Sequence, residues 1–168
     1  MAPKYRVGVI ASGRIAREHG RGWAECEHTD IVACADSHPE ALASYAQDFN
    51  VKSTYLDYRE MMEKENLDIV SVCSWDPQHA EMTVAAAAYR PKVILTEKPM
   101  AISEVECLEL IGAANTADVI LMVAYCMRFH PLVTGMKELI DNGACGDIFQ
   151  VSIWTEQLTR YDEGHWAL

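Results

Sequence analysis

The sequence predicts an α/β protein: a doubly wound parallel sheet, followed by the beginning of a second α/β domain. Three observations lead to this reading. Short apolar runs alternate with longer helical patterns from Met1 to about Val123, which implies parallel pairing through right-handed crossovers. The run Asp68–Cys73 reads as one β-branched stretch built on Ile69, Val70 and Val72, as expected of a strand buried on both faces. Polar or glycine-bearing segments stand directly behind four of the apolar runs, so they fall on one edge of the predicted sheet, where open α/β sheets bind ligands.

Arg6–Ile10 reads as the first strand and Ile15–Glu25 as the first helix. Asp30–Ala35 and Pro39–Phe49 form the second pair, with Ser37-His38-Pro39-Glu40 at capping-box spacing. Val51–Tyr55 is a short strand, and Asp57-Tyr58-Arg59-Glu60 opens a helix that runs to about Lys64. Asp68–Cys73 precedes an alanine-rich helix over His79–Tyr89. Val93–Thr96 is the next strand, Ser103 caps a helix to about Ala117, and Val119–Ala124 closes the series. Residues 1–123 are thus expected to form one domain. Beyond Ala124, Leu132–Asn142 is amphipathic with Gly143 suited to its C-terminal cap, and Asp147–Glu156 reads as one long strand. A helix and one strand do not make a domain, so residues 124–168 are expected to be the start of an incomplete one, in a truncated or partial chain.

Composition narrows the classes of function. Half of the 168 residues are hydrophobic and 23% are charged, an ordinary globular balance. A formal net charge of −11 argues against nucleic acid and anionic membrane surfaces as partners. No apolar stretch reaches the ~20 residues that span a bilayer. Six cysteines, none at C-x-x-C spacing, suggest reduced thiols in a cytoplasmic protein rather than a disulfide framework or a metal site.

Three constellations carry possible chemistry. The turn Ala11-Ser12-Gly13-Arg14-Ile15-Ala16 lies between the first strand and first helix. There, backbone N–H groups and a helix N-terminus can face a pyrophosphate. Its pattern is A-x-G-x-x-A, with Ala11 where the tight turn usually has glycine. Asp36, with Ser37 beside it, ends the second strand 23 residues after Gly13, close to the ~20 expected for the acid that binds ribose hydroxyls. Such an aspartate accepts from a 2′-OH and repels a 2′-phosphate, which favours NAD over NADP; its alternative role is to cap the second helix. The third constellation joins Ser74-Trp75-Asp76-Pro77-Gln78-His79 to Glu97-Lys98-Pro99. A lysine and a glutamate at the end of a buried strand are poorly placed for stability and well placed for chemistry.

Together these residues resemble the N-terminal part of the glucose-fructose oxidoreductase / inositol dehydrogenase / MocA family. The matching stretches are Gly8–His19, Val32–Asp36, Asp68–Glu81, Val93–Met100 and Arg128–Pro131, with Glu97-Lys98-Pro99 the most specific. The resemblance implies a Rossmann-like NAD(P)-binding domain and hydride transfer between nicotinamide and a sugar or cyclic polyol. It implies that Lys98 contacts substrate and handles a proton, and that Glu97 orients the loop and contacts the cofactor. It further implies that Ser74, Trp75, Pro77 and His79 belong to the cofactor-contact loop, and that Arg128 leads into the substrate domain. Ala11, the Trp75-Asp76-Pro77 loop and Cys126 depart from the family pattern. The other reading is a stand-alone nucleotide-binding or oligomerising module without turnover. The apolar strand expected over Asp147–Glu156 suggests a homodimer or higher homo-oligomer.

Overall fold

A computed structural model describes residues 4–154. It divides into two units, residues 1–125 and 126–168.

The first unit alternates six strands with five helices: β1 Tyr5–Ile10, α1 Arg14–Glu25, β2 Thr29–Ala35, α2 Pro39–Phe49, β3 Ser53–Tyr55, α3 Tyr58–Lys64, β4 Ile69–Val72, α4 His79–Ala87, β5 Val93–Thr96, α5 Glu104–Ala117 and β6 Ile120–Val123. All strand pairs are parallel, and the sheet order is β3-β2-β1-β4-β5-β6. The order reverses between β1 and β4, which opens a crevice at the carboxyl ends of those two strands.

The sheet has a core on each face. Val7 and Val9 of β1, Ile69 of β4 and Cys73 beyond it pack with Ala16 of α1 and Leu42 and Tyr45 of α2. Ile10, Val70, Val72 and Ile94 pack on the other face with Met61 and Met62 of α3 and Ala86 and Ala87 of α4. Every residue of β4 is buried, because it sits at the middle of the sheet with helices on both sides. This is the physical basis of the β-branched run read from the sequence.

Local chemistry sets the helix ends. Asp57 caps α3 by accepting the Arg59 N–H at 2.8 Å. Ser103 caps α5 through the Glu106 N–H, and the Glu106 carboxylate reaches back to the Ile102 N–H at 3.0 Å. The capping box expected at Ser37 does not form. His38 occupies the cap position of α2 without a side-chain cap bond, and its N–H is taken by Asp36 Oδ1 at 2.8 Å. This is an Asx-turn arrangement, and the helix begins one residue later than a Ser37 cap requires. The fourth helix stops at Ala87, short of Tyr89, because Arg90 turns left-handed at φ 54° ahead of Pro91.

Gly20 of α1 allows close approach to α2. A Cβ there would lie 2.6 Å from Phe49 Cζ and 2.7 Å from the Tyr45 hydroxyl. Gly20→Ala is therefore expected to destabilise the protein by about 1–2 kcal/mol, because overpacking outweighs the roughly 1 kcal/mol gained in helix propensity. A lower urea midpoint at unchanged slope would register it; an equal or higher midpoint would contradict the packing argument.

In the second unit, a short 3-10 turn Cys126–Phe129 leads into α6, Pro131–Asp141. Gly143 (φ 72°) ends the helix: its N–H bonds to the Ile140 carbonyl, and the Ala144 N–H to that of Leu139, both at 3.0 Å. The strand expected over Asp147–Glu156 does not form within residues 147–154; positions 155 and 156 lie outside the described residues. An extended segment becomes a strand only where a neighbour completes its hydrogen-bond ladder, and no described segment pairs with this one.

Candidate functional site: the switch-point groove

The loops that follow β1, β2, β3 and β4 enclose a groove of about 870 Å³, within the range of small-molecule and cofactor sites. Ala11 and Gly13 form one wall, and Asp36, Ser37 and His38 the next. Ser74, Trp75 and Pro77 stand across from them, and Leu56, Tyr58, Arg59 and Met82 line it as well. Seven of the sequence-predicted site residues thus meet in one place. The Leu56–Arg59 segment was read from the sequence only as a helix start; its position directly behind a strand was the available signal.

The β1–α1 turn leaves the N-terminus of α1 open. Gly13 is the N-cap of α1 and carries no side-chain cap bond, and the first turn of α1 holds no acidic residue. The leading N–H groups of the helix therefore lack a side-chain acceptor, and the helix dipole favours negative charge there. A Cβ on Gly13 would meet nothing within 4 Å, so the open space lies toward the groove and not toward the protein. Arg14 and Ile15 begin the helix at its exposed end. Ser12 is buried at 2% exposure, and its hydroxyl lacks a partner among the described residues, as does that of Ser74. Open backbone at Gly13, uncapped N–H groups and two unpartnered hydroxyls fit a dinucleotide.

Ala11 occupies the left-handed region at φ 72°, the conformation for which glycine is normally required. The turn expected of the fingerprint is therefore present, held by the Ala11 N–H bond to the Ala35 carbonyl at 2.8 Å, with a strained residue in it. Ala11→Gly is expected to stabilise the protein by about 1 kcal/mol, or roughly 2–5 °C in Tm, because relief of strain exceeds the added unfolded-state entropy. A lower Tm in differential scanning calorimetry would refute this.

Asp36 links the two sides of the turn. Its Oδ2 accepts the Ser12 N–H at 2.7 Å, while Oδ1 holds His38. A carboxylate has about four acceptor positions, so both bonds leave capacity for ribose hydroxyls. Capping and ligand contact are thus compatible roles for this residue.

The second part of the site lies around the end of β5. Lys98 is exposed and does not line the groove; its peptide bond to Pro99 is cis. Glu97 is buried, and a network not anticipated from the sequence supports it. His19 of α1 places Nε2 3.0 Å from Glu97 Oε1 and Nδ1 2.7 Å from the Ser71 hydroxyl. The Trp23 indole N–H also reaches Ser71, at 3.3 Å, and Glu97 Oε2 accepts the Lys98 N–H at 3.0 Å. Burial pushes the Glu97 carboxyl up, but the hydrogen bonds from His19 and the Lys98 N–H outweigh it and hold the group below its ordinary value. His79 is 1% exposed, and both its ring nitrogens face backbone carbonyls: Nδ1 that of Pro99 at 2.7 Å, Nε2 that of Ser74 at 2.9 Å. It joins the β4 and β5 loops from behind. Arg128 lies in the second unit, on the Cys126–Phe129 turn.

Burial pushes the Cys34 and Cys73 thiols up to about 12, with Asp36 and Glu97 respectively adding to the effect. Both therefore stay protonated at neutral pH and are not nucleophiles, although Cys73 borders the groove. Cys126 and Cys145, by contrast, are exposed.

Strand order, switch-point groove and glycine turn define a Rossmann-type dinucleotide-binding domain. The chain belongs to the glucose-fructose oxidoreductase / inositol dehydrogenase / MocA family, described as an oxidoreductase family with an NAD-binding Rossmann fold, which matches residues 5–125. Myo-inositol 2-dehydrogenase from Thermotoga maritima is 30% identical over 141 residues, covering 84% of this chain and 42% of the relative. Trans-1,2-dihydrobenzene-1,2-diol dehydrogenase from Mus musculus is 28% identical over 145 residues, covering 85% and 43%. Among solved structures, a probable dehydrogenase from Thermotoga maritima superposes with a TM-score of 0.78 at 30% identity, over 84% of this chain and 42% of that one. Scyllo-inositol dehydrogenase from Lactobacillus casei with bound NAD(H) and scyllo-inositol shares the fold at a TM-score of 0.80 and 20% identity, over 86% and 43%. The chain thus spans less than half the length of these relatives. Among the described residues, no helix is long and apolar enough to cross a membrane.

Proposed function

We propose that this chain is the cofactor-holding part of an NAD-dependent oxidoreductase that acts on a sugar or cyclic polyol. The observation that carries the proposal is the Gly13 turn: open backbone and uncapped N–H groups at a helix N-terminus, with Asp36 bonded to its rim. The leading N–H groups of α1 would hold the pyrophosphate, and the free acceptor positions of Asp36 would hold the adenosine ribose. Asp36 is 12% exposed and anionic, so a 2′-phosphate beside it would be repelled and NAD is preferred to NADP. The nicotinamide, when bound, supplies the hydride chemistry. Ser74, Trp75 and Pro77 provide the facing wall of the groove, and His79 positions their loop from within the protein. Lys98 is the candidate proton-handling residue, whose ammonium would stabilise a developing alkoxide. Arg128 is assigned to the approach to the substrate region.

Calorimetric titration of the chain with NAD and with NADP tests this reading. NAD is expected to bind more tightly, and to add about 2.7 kcal/mol of stability at a hundredfold excess over Kd. No binding of either nucleotide at millimolar concentration would overturn the proposal.

A binding module without turnover is the second reading. It is favoured by one observation: Lys98 is exposed, and the groove-lining residues do not enclose it. Clear NAD binding with no turnover on a panel of polyols would select it. Self-association is proposed through residues 147–154, where Phe149 is 98% exposed and Trp154 92%. Light scattering at micromolar concentration should give a mass above that of one chain, and a monomer would exclude it.

A further inference from the structure

We infer that His19 and His79 are positioning residues that clamp the Lys98-Pro99 segment from two sides, and so tie the direction of Lys98 to the helix that receives the cofactor. The inference rests on the role proposed for Lys98.

The first clamp is a continuous chain of hydrogen bonds. Glu97 as a carboxylate can only accept, so His19 Nε2 must donate to Oε1. Nδ1 of the same ring is hydrogen-bonded to the Ser71 hydroxyl, and the Ser71 oxygen accepts the Trp23 indole N–H. Glu97 Oε2 remains to accept the Lys98 N–H. Each polar group in the chain has its partner, and the side chains of His19 and Glu97 are each 8% exposed. A satisfied network in this setting holds its members in one arrangement, because any rotation leaves a buried group unpaired.

The second clamp is His79. Its Nδ1 lies 2.7 Å from the Pro99 carbonyl and its Nε2 2.9 Å from that of Ser74. With the ring proton on Nδ1, which makes the shorter contact, the segment is held at the Lys98 N–H and at the Pro99 carbonyl, on either side of the lysine side chain. His19 sits on α1, whose N-terminus Gly13 caps, six positions after that glycine. A shift of α1 on cofactor binding would therefore pass through His19 and Glu97 to the peptide that carries Lys98. Without such a link, an exposed lysine at a strand end would sample many directions, at a cost in orientation.

The test uses the full chain, labelled with 15N and 13C, in variants His19→Leu, His19→Gln and His79→Leu. In His19→Leu, the Lys98 amide proton should move upfield and exchange about tenfold faster, as loss of an ordered bond to a carboxylate implies. The amide of Ile94, in the β5 core, should keep its protection. His19→Gln, which retains a donor toward Glu97, should restore much of the Lys98 signal, and it keeps the test open if the leucine variant fails to fold. His79→Leu should shift the Pro99 carbonyl carbon. Equal loss of protection at Lys98 and Ile94 would mark His19 as a general stability residue and overturn the inference. An unchanged Lys98 amide in both His19 variants would do so as well. These signals are read without nucleotide, so failure here is distinct from failure of NAD to bind.

Discussion

Gly13→Asp is expected to weaken NAD binding about a hundredfold while leaving the fold intact or slightly more stable. Gly13 is the N-cap of α1 in an extended conformation that any residue adopts, and nothing lies within 4 Å of the Cβ position. An aspartate there would cap the helix, accept the leading N–H groups and add a few tenths of a kcal/mol in stability. The same carboxylate would occupy the anion site and repel a pyrophosphate. Loss of two charge-assisted hydrogen bonds amounts to about 3 kcal/mol, or about a hundredfold in affinity. The prediction is useful because its two effects have opposite signs: a variant that binds poorly because it is damaged would melt earlier. Paired calorimetric titration and thermal melting measure both. Undiminished NAD affinity would show that the Gly13 turn is an ordinary strand–helix connection.

His19→Ala carries the largest expected stability effect, and its pH dependence is the informative part. Without His19, Glu97 keeps only the Lys98 N–H in a buried position, and the variant should lose about 2–4 kcal/mol at pH 7. In the parent protein the Glu97 carboxyl is held below its ordinary value of 4.5. A depressed carboxyl contributes stability that is complete above about pH 4.5 and lost as pH falls through the native value. In the variant, burial dominates and moves the group upward, so acid protonates it sooner and relieves the buried charge. The stability gap between parent and variant should therefore narrow as pH falls from 7 toward 4. Urea midpoints at several pH values would measure it, and a gap independent of pH would mean that the Glu97 charge is not what His19 compensates.

Much of the fold was legible because its signals are local. The apolar run around Val70, the caps at Asp57 and Ser103, and the glycine end of α6 depend on a few adjacent residues and the backbone bonds they satisfy. The Ser37 cap was misread because the helix begins one residue later, with His38 at the cap position and its N–H held by Asp36, and only the backbone path sets that start. The strand expected over Asp147–Glu156 is absent from residues 147–154 for a different reason. Alternation describes a segment's two faces but carries no information about whether a partner is present.

The same division holds for the site. From the sequence alone it followed that Ala11, Gly13, Asp36, Ser74 and Glu97-Lys98 stand behind strands of a parallel sheet, because strand direction puts every such loop on one edge. Three things waited for the tertiary structure. It brought Tyr58 and Arg59 to the groove that Gly13 and Asp36 border. It left Lys98 exposed, outside that groove. And it joined His19 to Glu97 across 78 positions of the chain. Sequence spacing can assign a residue to an edge, but hydrogen bonds between distant segments exist only once packing has closed the distance and excluded the water that would otherwise compete for them.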